Sequence, residues 1–275
     1  MGLVSGHWVW GGGWLSQLGF HDFAGSSVVH ALGGFAALAG IKLLGARRGK
    51  FNKDGSSNTI HGHGLTLAAM GGFILWIGWF GFNAGSTLTA SDPEAIAHIM
   101  MTTNLALAAA AVTTLVIPWI KDKASVEAAM NGALSGLVGV TAGCDLVSPL
   151  GAIVIRILSG VVMMVETDLL ERKFKLDDAV GAIPVHGFCG AVGTILTGLL
   201  ATNEGLLYGG SFSFFGIQVL GALVIAFWGF TASFVIFSLL KYTIGIRVTK
   251  EEVNGLDLTE HGECAYAEFL LGNEK

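Results

Sequence analysis

Residues 22–30 of the chain, DFAGSSVVH, open a long apolar run, with an aspartate at position 22 and a histidine at position 30. A second histidine, His186, interrupts another apolar run much further along the chain. Ionisable side chains inside lipid-embedded helices are costly, and those that occur there usually mark a pathway or a polar site. We therefore interpret Asp22, His30 and His186 as markers of a path for a small polar solute.

The composition of the chain indicates a polytopic membrane protein. Of its 275 residues, 52% are hydrophobic and only 13% are charged, whereas a soluble domain carries about 25% charged residues. The 41 glycines suit closely packed transmembrane helices. Because a backbone in lipid must satisfy its own hydrogen bonds, we expect an all-α bundle embedded in the lipid bilayer. We expect no nucleic-acid partner.

Seven apolar segments reach the length of about 20 residues that a helix needs to cross a bilayer. They cover residues 24–45, 64–86, 96–119, 127–147, 150–171, 179–201 and 215–243. The fold class that they predict is a transmembrane helical bundle with about seven spans.

The distribution of lysine and arginine predicts the orientation of the chain. Fourteen of the 15 basic residues follow the first, third, fifth and seventh segments, on one side of the membrane, and the opposite connections hold none. By the positive-inside rule the basic side is cytoplasmic. We therefore expect a multi-pass protein of the cell membrane with its N-terminus outside, a membrane domain at 1–246 and a cytoplasmic C-terminal tail at 247–275.

Arg156 is the exception, because it lies within the fifth segment. A charge at that depth costs a few kcal/mol or more. Asp145 or Glu166 could supply a carboxylate partner. Otherwise the arginine would lie at an interface with another subunit or extend towards the membrane surface.

The two histidines are predicted at similar depths on helices of opposite direction. With a rise of about 1.5 Å per residue, His30 lies about 12 Å below Asp22, and His186 lies about 10 Å from the start of the sixth segment. In a hydrocarbon core about 30 Å thick, both come close to the midplane. An inverted-topology repeat produces this arrangement. Taken singly, each histidine is equally well explained as a buried residue hydrogen-bonded to a neighbouring helix.

A metal site is another explanation for the histidines, since histidine is a common ligand. However, no third or fourth histidine, cysteine or carboxylate is placed to complete a tetrahedral site at that depth. Cys144, Cys189 and Cys264 are scattered, without the spacing of a zinc site or a disulfide framework. We expect no metal and no cofactor, and the absence of a nucleophile or cofactor motif argues against an enzyme.

The end of the second segment, IGWFGFNAGS at residues 77–86, would lie at the outer face. An aromatic belt is its simplest explanation, because such belts are common at that depth. Phe82 and Asn83, between glycines, also suggest a tight turn that presents a ring and a polar group. Trp10, in the outer loop, offers an indole face to a cation, and Ser86 offers a hydroxyl.

Six stretches of the chain together resemble the ammonium transporter (Amt/Mep/Rh) family, on its Amt side. They are VWGGGWL, DFAGSSVVH, IGWFGFNAGS, GLVGVTAGCDLVSP, PVHGFCG and GLDLTEHGECAY, in the order and at the spacing of that family. Ser26 stands where a second glycine is common. The resemblance implies a homotrimer of eleven-helix subunits, each with its own pore. The seven segments here would be helices five to eleven, so we expect an incomplete chain.

The resemblance also implies roles for individual residues. Trp10 and Ser86 match an outer ammonium-recruitment site, and Phe82 matches one ring of an outer gate. His30 and His186 match twin pore histidines that share a hydrogen bond. Structural roles near the outer site fall to Asp22 and Asn83. The resemblance implies that the tail couples subunits and, in many bacteria, meets a PII-type signalling protein. The matching regulatory positions are Gly255, Asp257, His261, Gly262 and Tyr266.

Two functions fit these expectations. The first is a transporter subunit that recruits ammonium at the outer face and passes ammonia through a hydrophobic twin-histidine pore, with a proton relayed separately. The second is an ammonium sensor that signals through its tail to a PII-type partner. The tail is too short for an output domain, and this favours transport.

Overall fold

The computed structural model describes residues 2–121, 123–248 and 256–264, which form a helical bundle. Its main helices, labelled α1 to α7 in chain order, are Ser26–Leu44, Leu65–Ala84, Pro93–Lys121, Val126–Val140, Pro149–Arg172, Ile183–Leu200 and Phe212–Thr243. Shorter helical segments are Val4–Val9, Trp14–Leu18, Gly85–Thr87, Leu206–Tyr208 and Leu256–His261. The described ranges contain two isolated β-bridges and no strand, so the predicted all-α class is confirmed.

Six of the seven predicted segments coincide with helices that are long and apolar enough to cross a membrane. The fourth prediction, 127–147, was wrong in its last third, because α4 has 15 residues and ends at Val140. The chain then turns inside the bundle, where the carbonyl oxygens of Thr141 and Ala142 accept the N–H groups of Ala24 and Phe23 at 3.0 and 2.9 Å. Such irregular backbone is tolerated at membrane depth where protein covers it. Composition could not reveal the turn, because its residues are as small and apolar as those of the helix.

Helices α1 and α6 each begin with a π-helical turn. Residues Ser26–Ala31 and Ile183–Phe188 are π-helical, and each helix continues as regular α-helix. π turns are rare and occur frequently at functional sites. His30 and His186 each lie in one of these two turns.

Asp22 supports the start of α1. Its carboxylate accepts the backbone N–H groups of Gly25, Ser27 and Val28 at 2.9, 2.8 and 2.9 Å, and the side chain is buried. The first N–H groups of a helix lack acceptors within the helix, and the helix dipole favours a negative charge there. An aspartate at this position therefore stabilises the turn that carries His30.

Glycines allow α1 and α6 to cross at close range. A Cβ on Gly34 would overlap the backbone nitrogen of Gly187, and one on Gly190 would overlap the carbonyl oxygen of Ser26. Small residues at such crossings let helix backbones approach within a membrane. Because residues 26 to 34 meet residues 190 to 187 in reverse order, the two helices are antiparallel.

Arg156, on α5, is completely buried, and the expectations for its partner were wrong for the part of the chain described. Its guanidinium donates to the carbonyl oxygens of Thr103 and Thr102 at 3.3 and 3.4 Å, and its Nε has no hydrogen-bond partner there. Asp145 is hydrogen-bonded to His21 instead, at 3.1 Å. With 0% of its surface exposed, Arg156 cannot reach the membrane surface or another subunit.

The basic end of the bundle is held by ion pairs between two connections. Arg47, after α1, forms a two-pronged pair with Asp177 through Nε and Nη2, both at 2.8 Å. Lys50 lies 3.0 Å from Glu171 near the end of α5. These contacts fasten the loop between α1 and α2 to the connection between α5 and α6.

Large apolar side chains cover the outward faces of several helices. On α2, Phe73 and Ile77 are 60% and 71% exposed, and on α7 Phe227 is 70% exposed. Helices that are apolar on their outward face suit contact with lipid rather than water. Together with the helix lengths, this makes the chain a multi-pass membrane protein.

Candidate functional site

The structure brings His30 and His186 together. Their Nδ1 atoms lie 3.2 Å apart, and their rings are nearly parallel, with centroids 5.2 Å apart. One proton can occupy this contact, so the two Nδ1 atoms serve as donor and acceptor in one of two tautomeric arrangements. His30 Nε2 is buried and has no hydrogen-bond partner among the described residues. The pair therefore retains one unused polar atom inside an apolar bundle.

Two aromatic rings also pack against the imidazole of His30. The indole of Trp79 stacks on the imidazole at 5.1 Å between centroids, and Phe82 lies 5.4 Å from the same imidazole. Sequence reasoning selected Phe82 but missed Trp79 as a site residue. The signal was present, because residues three apart on a helix share a face.

A buried polar chain fixes the position of Trp79. Its Nε1 donates to the hydroxyl of Thr141 at 3.1 Å, and that hydroxyl lies 3.2 Å from Asn83 Oδ1. Asn83 Nδ2 donates to the hydroxyl of Thr103 at 3.0 Å. Asn83 is therefore not presented to the surface as a polar group; it is fully buried and joins α2 to α3 and to the turn after α4.

Trp10 and Ser86, which the sequence predicts at the outer face, are tied to the site in two separate contacts. Trp10, half of which is exposed, donates its Nε1 hydrogen to the carbonyl oxygen of Asp22 at 2.8 Å. Ser86 donates to the carbonyl oxygen of Phe82 at 2.8 Å. Within the described ranges no hydrogen bond joins Trp10 to Ser86, so their joint role in recruitment stays a prediction.

Asp178 is a second residue that sequence reasoning missed. Its carboxylate accepts the N–H groups of Ala182 and Ile183 at 3.0 and 2.7 Å, and so supports α6 as Asp22 supports α1. A repeated spacing could have revealed it. Asp-x2-Gly-x4-His occurs once at residues 22–30 and again at residues 178–186. The glycine of each copy, Gly25 or Gly181, has a positive φ, of 119° or 73°.

A cavity of about 210 Å³ lies beside the start of α6. Asp178, Gly181 and Pro184, which precede His186 on the chain, form part of its wall. Arg47 and Lys50 bring the basic end of the bundle to the same cavity. The histidine pair thus lies between an aromatic layer on one side and a polar cavity along α6 on the other.

Part of the predicted tail site lies within the described residues. Asp257 and His261 belong to the short helix Leu256–His261, and Gly262 ends it with a φ of 68°. Gly255 and Tyr266 lie outside the described residues. The described ranges hold no group of three or more histidine, cysteine or carboxylate side chains that could bind a metal ion.

The sequence matches the model of the Ammonium Transporter Family over residues 2–266. Ammonium transporter Amt2 of Archaeoglobus fulgidus is 46% identical over 97% of this chain, and an ammonium transporter of Bacillus subtilis is 40% identical over 96%. These matches cover 62% and 65% of the two relatives, so the chain spans somewhat less than two thirds of their length.

Two solved structures have the same fold as the chain. A structure described as "Sensor Amt Protein" superimposes with a TM-score of 0.85 at 38% identity, covering 90% of this chain and 62% of that one. Candida albicans Mep2 gives a TM-score of 0.80 at 31% identity, covering 89% of this chain and 56% of that one. The relatives from Archaeoglobus fulgidus and Bacillus subtilis are named as ammonium transporters rather than as enzymes. On sequence and structure alike, the chain belongs to the ammonium transporter family.

Proposed function

We propose that the chain forms the twin-histidine part of an ammonium transporter. The observation that carries the proposal is the 3.2 Å contact between Nδ1 of His30 and Nδ1 of His186, on antiparallel helices of an otherwise apolar bundle. The ammonium transporters that the chain matches give the substrate class. The transported species is ammonia, which leaves its proton behind at the outer face.

The chemistry of the pair favours ammonia over its ion. An ammonium ion in an apolar segment costs a large desolvation free energy, whereas ammonia is neutral and needs only hydrogen-bond partners. His30 Nε2, buried and without a partner in the described ranges, is one such partner. The shared proton of the histidine pair offers a separate route for proton relay. Potassium cannot lose a proton, so the same segment rejects it.

The outer residues supply the recruitment step of this proposal. The indole of Trp10 attracts a cation through its π face, and the hydroxyl of Ser86 accepts a hydrogen bond from it. Phe82 then separates this outer site from His30, whose ring it contacts. Asp22 and Asn83 act structurally, through the hydrogen bonds they make.

The arrangement in the membrane is part of the proposal as well. The basic end, with Arg47 and Lys50, faces the cytoplasm by the positive-inside rule, and the N-terminus is outside. Residues 1–246 form the membrane domain, and residues 247–275 form a cytoplasmic tail that meets a PII-type protein. The working unit is a homotrimer, as the family resemblance implies.

Transport by variants of the full-length protein tests the function. His30→Ala, His186→Ala and the double variant are reconstituted in liposomes, with ammonia entry followed by an internal pH dye and with methylammonium uptake as a second readout. We expect at least a tenfold loss of flux or a loss of selectivity against potassium. His61→Ala, a change at an exposed position, serves as the control. Undiminished, ammonium-selective flux in the double variant would overturn the twin-histidine mechanism.

A sensor is the second candidate function. It is favoured by the structural neighbour described as "Sensor Amt Protein". A sensor would show ammonium-dependent binding of a partner to the tail without flux across the liposome membrane. Flux without any such partner binding would decide for transport.

A further inference from the structure

Arg156 carries a buried charge that the mechanism above does not use. It is fully buried, and none of its hydrogen bonds in the described ranges is to a carboxylate. Two carboxylates are engaged elsewhere: Asp145 contacts His21, and Asp22 accepts three backbone N–H groups. Because the chain itself covers the guanidinium completely, no other polypeptide can reach it to neutralise it. An arginine keeps its proton in proteins, so this is a permanent positive charge in the bundle.

The charge lies near the start of the aromatic segment, by which we mean the region between Phe82 and His30. Arg156 donates to the backbone of Thr103, whose hydroxyl accepts from Asn83, and Asn83 directly follows Phe82. One residue, Thr103, therefore separates the guanidinium from the helix whose rings cover His30.

A second set of contacts places Arg156 relative to the histidines. Ser159, one turn further along α5, accepts a hydrogen bond at its carbonyl oxygen from the Sγ of Cys189 at 3.3 Å. Cys189 follows His186 by three residues on α6. Since α6 runs from the polar cavity towards the outer side, Arg156 is level with the approach to the histidine pair rather than with the cavity beyond it.

We propose that Arg156 is a selectivity-determining residue whose uncompensated positive charge opposes the entry of cations into the aromatic segment between Phe82 and His30. The proposal rests on the transport function above and deepens it. A fixed positive charge raises the free energy of any cation nearby and leaves a neutral molecule unaffected, as arginines do in pores that exclude ions. For separations on the order of 10 Å and an effective dielectric constant of about 20, Coulomb's law lowers the local occupancy of a monovalent cation roughly tenfold per charge.

The mouth and the interior of the site then act with opposite signs. Trp10 and Ser86 attract ammonium at the outer end, as proposed above, and Arg156 makes the next layer unfavourable for the ion. Ammonium is held where it can lose its proton, and only ammonia continues. The charge thus adds an electrostatic barrier to the desolvation barrier that any apolar segment imposes.

The test compares cation leak with ammonia entry in the same liposomes, using the full-length protein. Arg156→Met removes the charge and keeps most of the side-chain volume. Rubidium uptake reports cation leak, and an internal pH dye reports ammonia entry. We expect the ratio of rubidium uptake to ammonia entry to rise about tenfold in Arg156→Met.

A second pair of variants keeps Arg156 in place. Cys144 lies close to Arg156, because Thr102 donates its hydroxyl to the carbonyl oxygen of Cys144 at 2.8 Å and accepts from Arg156 at its own carbonyl oxygen at 3.4 Å. Cys144→Asp places a carboxylate beside the guanidinium, and Cys144→Asn is its neutral match in shape. Neutralisation by Cys144→Asp should raise the same ratio, and Cys144→Asn should leave it near the wild-type value. This comparison decides the question if Arg156→Met does not fold, as judged by size-exclusion chromatography.

The outcomes separate the two proposals. An unchanged rubidium-to-ammonia ratio in Arg156→Met or Cys144→Asp, with ammonia entry retained, would overturn the role of Arg156. Equal increases in Cys144→Asp and Cys144→Asn would also overturn it, because packing and not charge would then be the cause. A wild-type protein that passes no ammonia would instead contradict the transport function itself.

Discussion

Nδ1 of His30 lies 3.2 Å from Nδ1 of His186, although 156 residues separate the two histidines in the sequence. The contact depends on three local features. They are a π turn around each histidine, an aspartate that accepts the first backbone N–H groups of each helix, and a glycine crossing that lets the two helices approach. Each feature can be tested by itself, and the following predictions address the crossing, the aspartate and His21.

The glycine crossing is tested by two neighbouring glycines of α1. Gly34→Ala would drive a methyl group into the backbone of Gly187, whereas nothing lies within 4 Å of the corresponding position at Gly33. We expect Gly34→Ala to destabilise the protein by about 1–3 kcal/mol and to separate the histidines, as overpacking does in cores. Gly33→Ala should be neutral or slightly stabilising, because alanine favours helix. Thermal unfolding in detergent gives the stabilities, and equal behaviour of the two variants would contradict the close crossing.

The support of α1 by Asp22 is tested by Asp22→Ala. Three buried N–H groups would lose their acceptor, at a cost of about 2–3 kcal/mol or more. Ammonia flux should fall with stability, because the π turn that holds His30 loses its anchor. Asp92→Asn is the matched control, since Asp92 caps the exposed start of α3 and asparagine caps helices about equally well. An Asp22→Ala protein as stable as this control would refute the anchoring role.

His21, in the connection before α1, should make a pH-dependent contribution to the stability of the protein. Burial disfavours its charged form, but the hydrogen bond and the attraction to Asp145, with smaller contributions from Asp22 and Glu204, outweigh burial and raise the pKa of His21 above its ordinary value of 6.5. Because the folded pKa is raised, the stabilisation is fully present below about pH 6.5 and disappears as the pH rises through the folded pKa.

Asp145→Asn removes the carboxylate and tests this dependence. We expect it to lower the free energy of unfolding by up to about 1 kcal/mol at about pH 5, since the pair is partly exposed, and to have much less effect in the alkaline range. Urea unfolding at several pH values measures the difference. A loss of stability that does not vary with pH would argue against the ion pair. So would an equal loss when Asp145→Asn is made in a protein that already carries His21→Gln.

Much of the fold could be predicted from the sequence, because long apolar runs leave the backbone no alternative to helix in lipid. The fourth segment was predicted too long, since the turn at 141–147 draws its hydrogen-bond partners from residues distant in sequence, such as Phe23 and Ala24. A hydropathy pattern carries no information about such partners.

For the site, comparing the predicted depths of His30 and His186 in the membrane led to the pair, because such a comparison needs only helix rise and direction. It could not give the partners of Arg156, which are backbone carbonyl oxygens, or the stacking of Trp79, which depends on how α2 rotates against α1. Asp178 was missed although its signal is present in the sequence. Reading the spacing of aspartate, glycine and histidine as a repeated unit would have found it.

Asp22 holds the start of α1, and Asp178 holds the start of α6. Because the two helices run antiparallel, these anchors lie at opposite ends of the bundle. A slide of one helix along the other therefore changes the Nδ1–Nδ1 distance almost directly. At 3.2 Å the contact is already close to the upper limit of a good hydrogen bond, so a shift of about 0.5 Å would interrupt it. The hydrogen bond between the imidazoles is therefore sensitive to the relative position of two helices that are anchored at opposite ends of the bundle. Events at either end of the bundle that move a helix can therefore make or break the hydrogen bond at its centre.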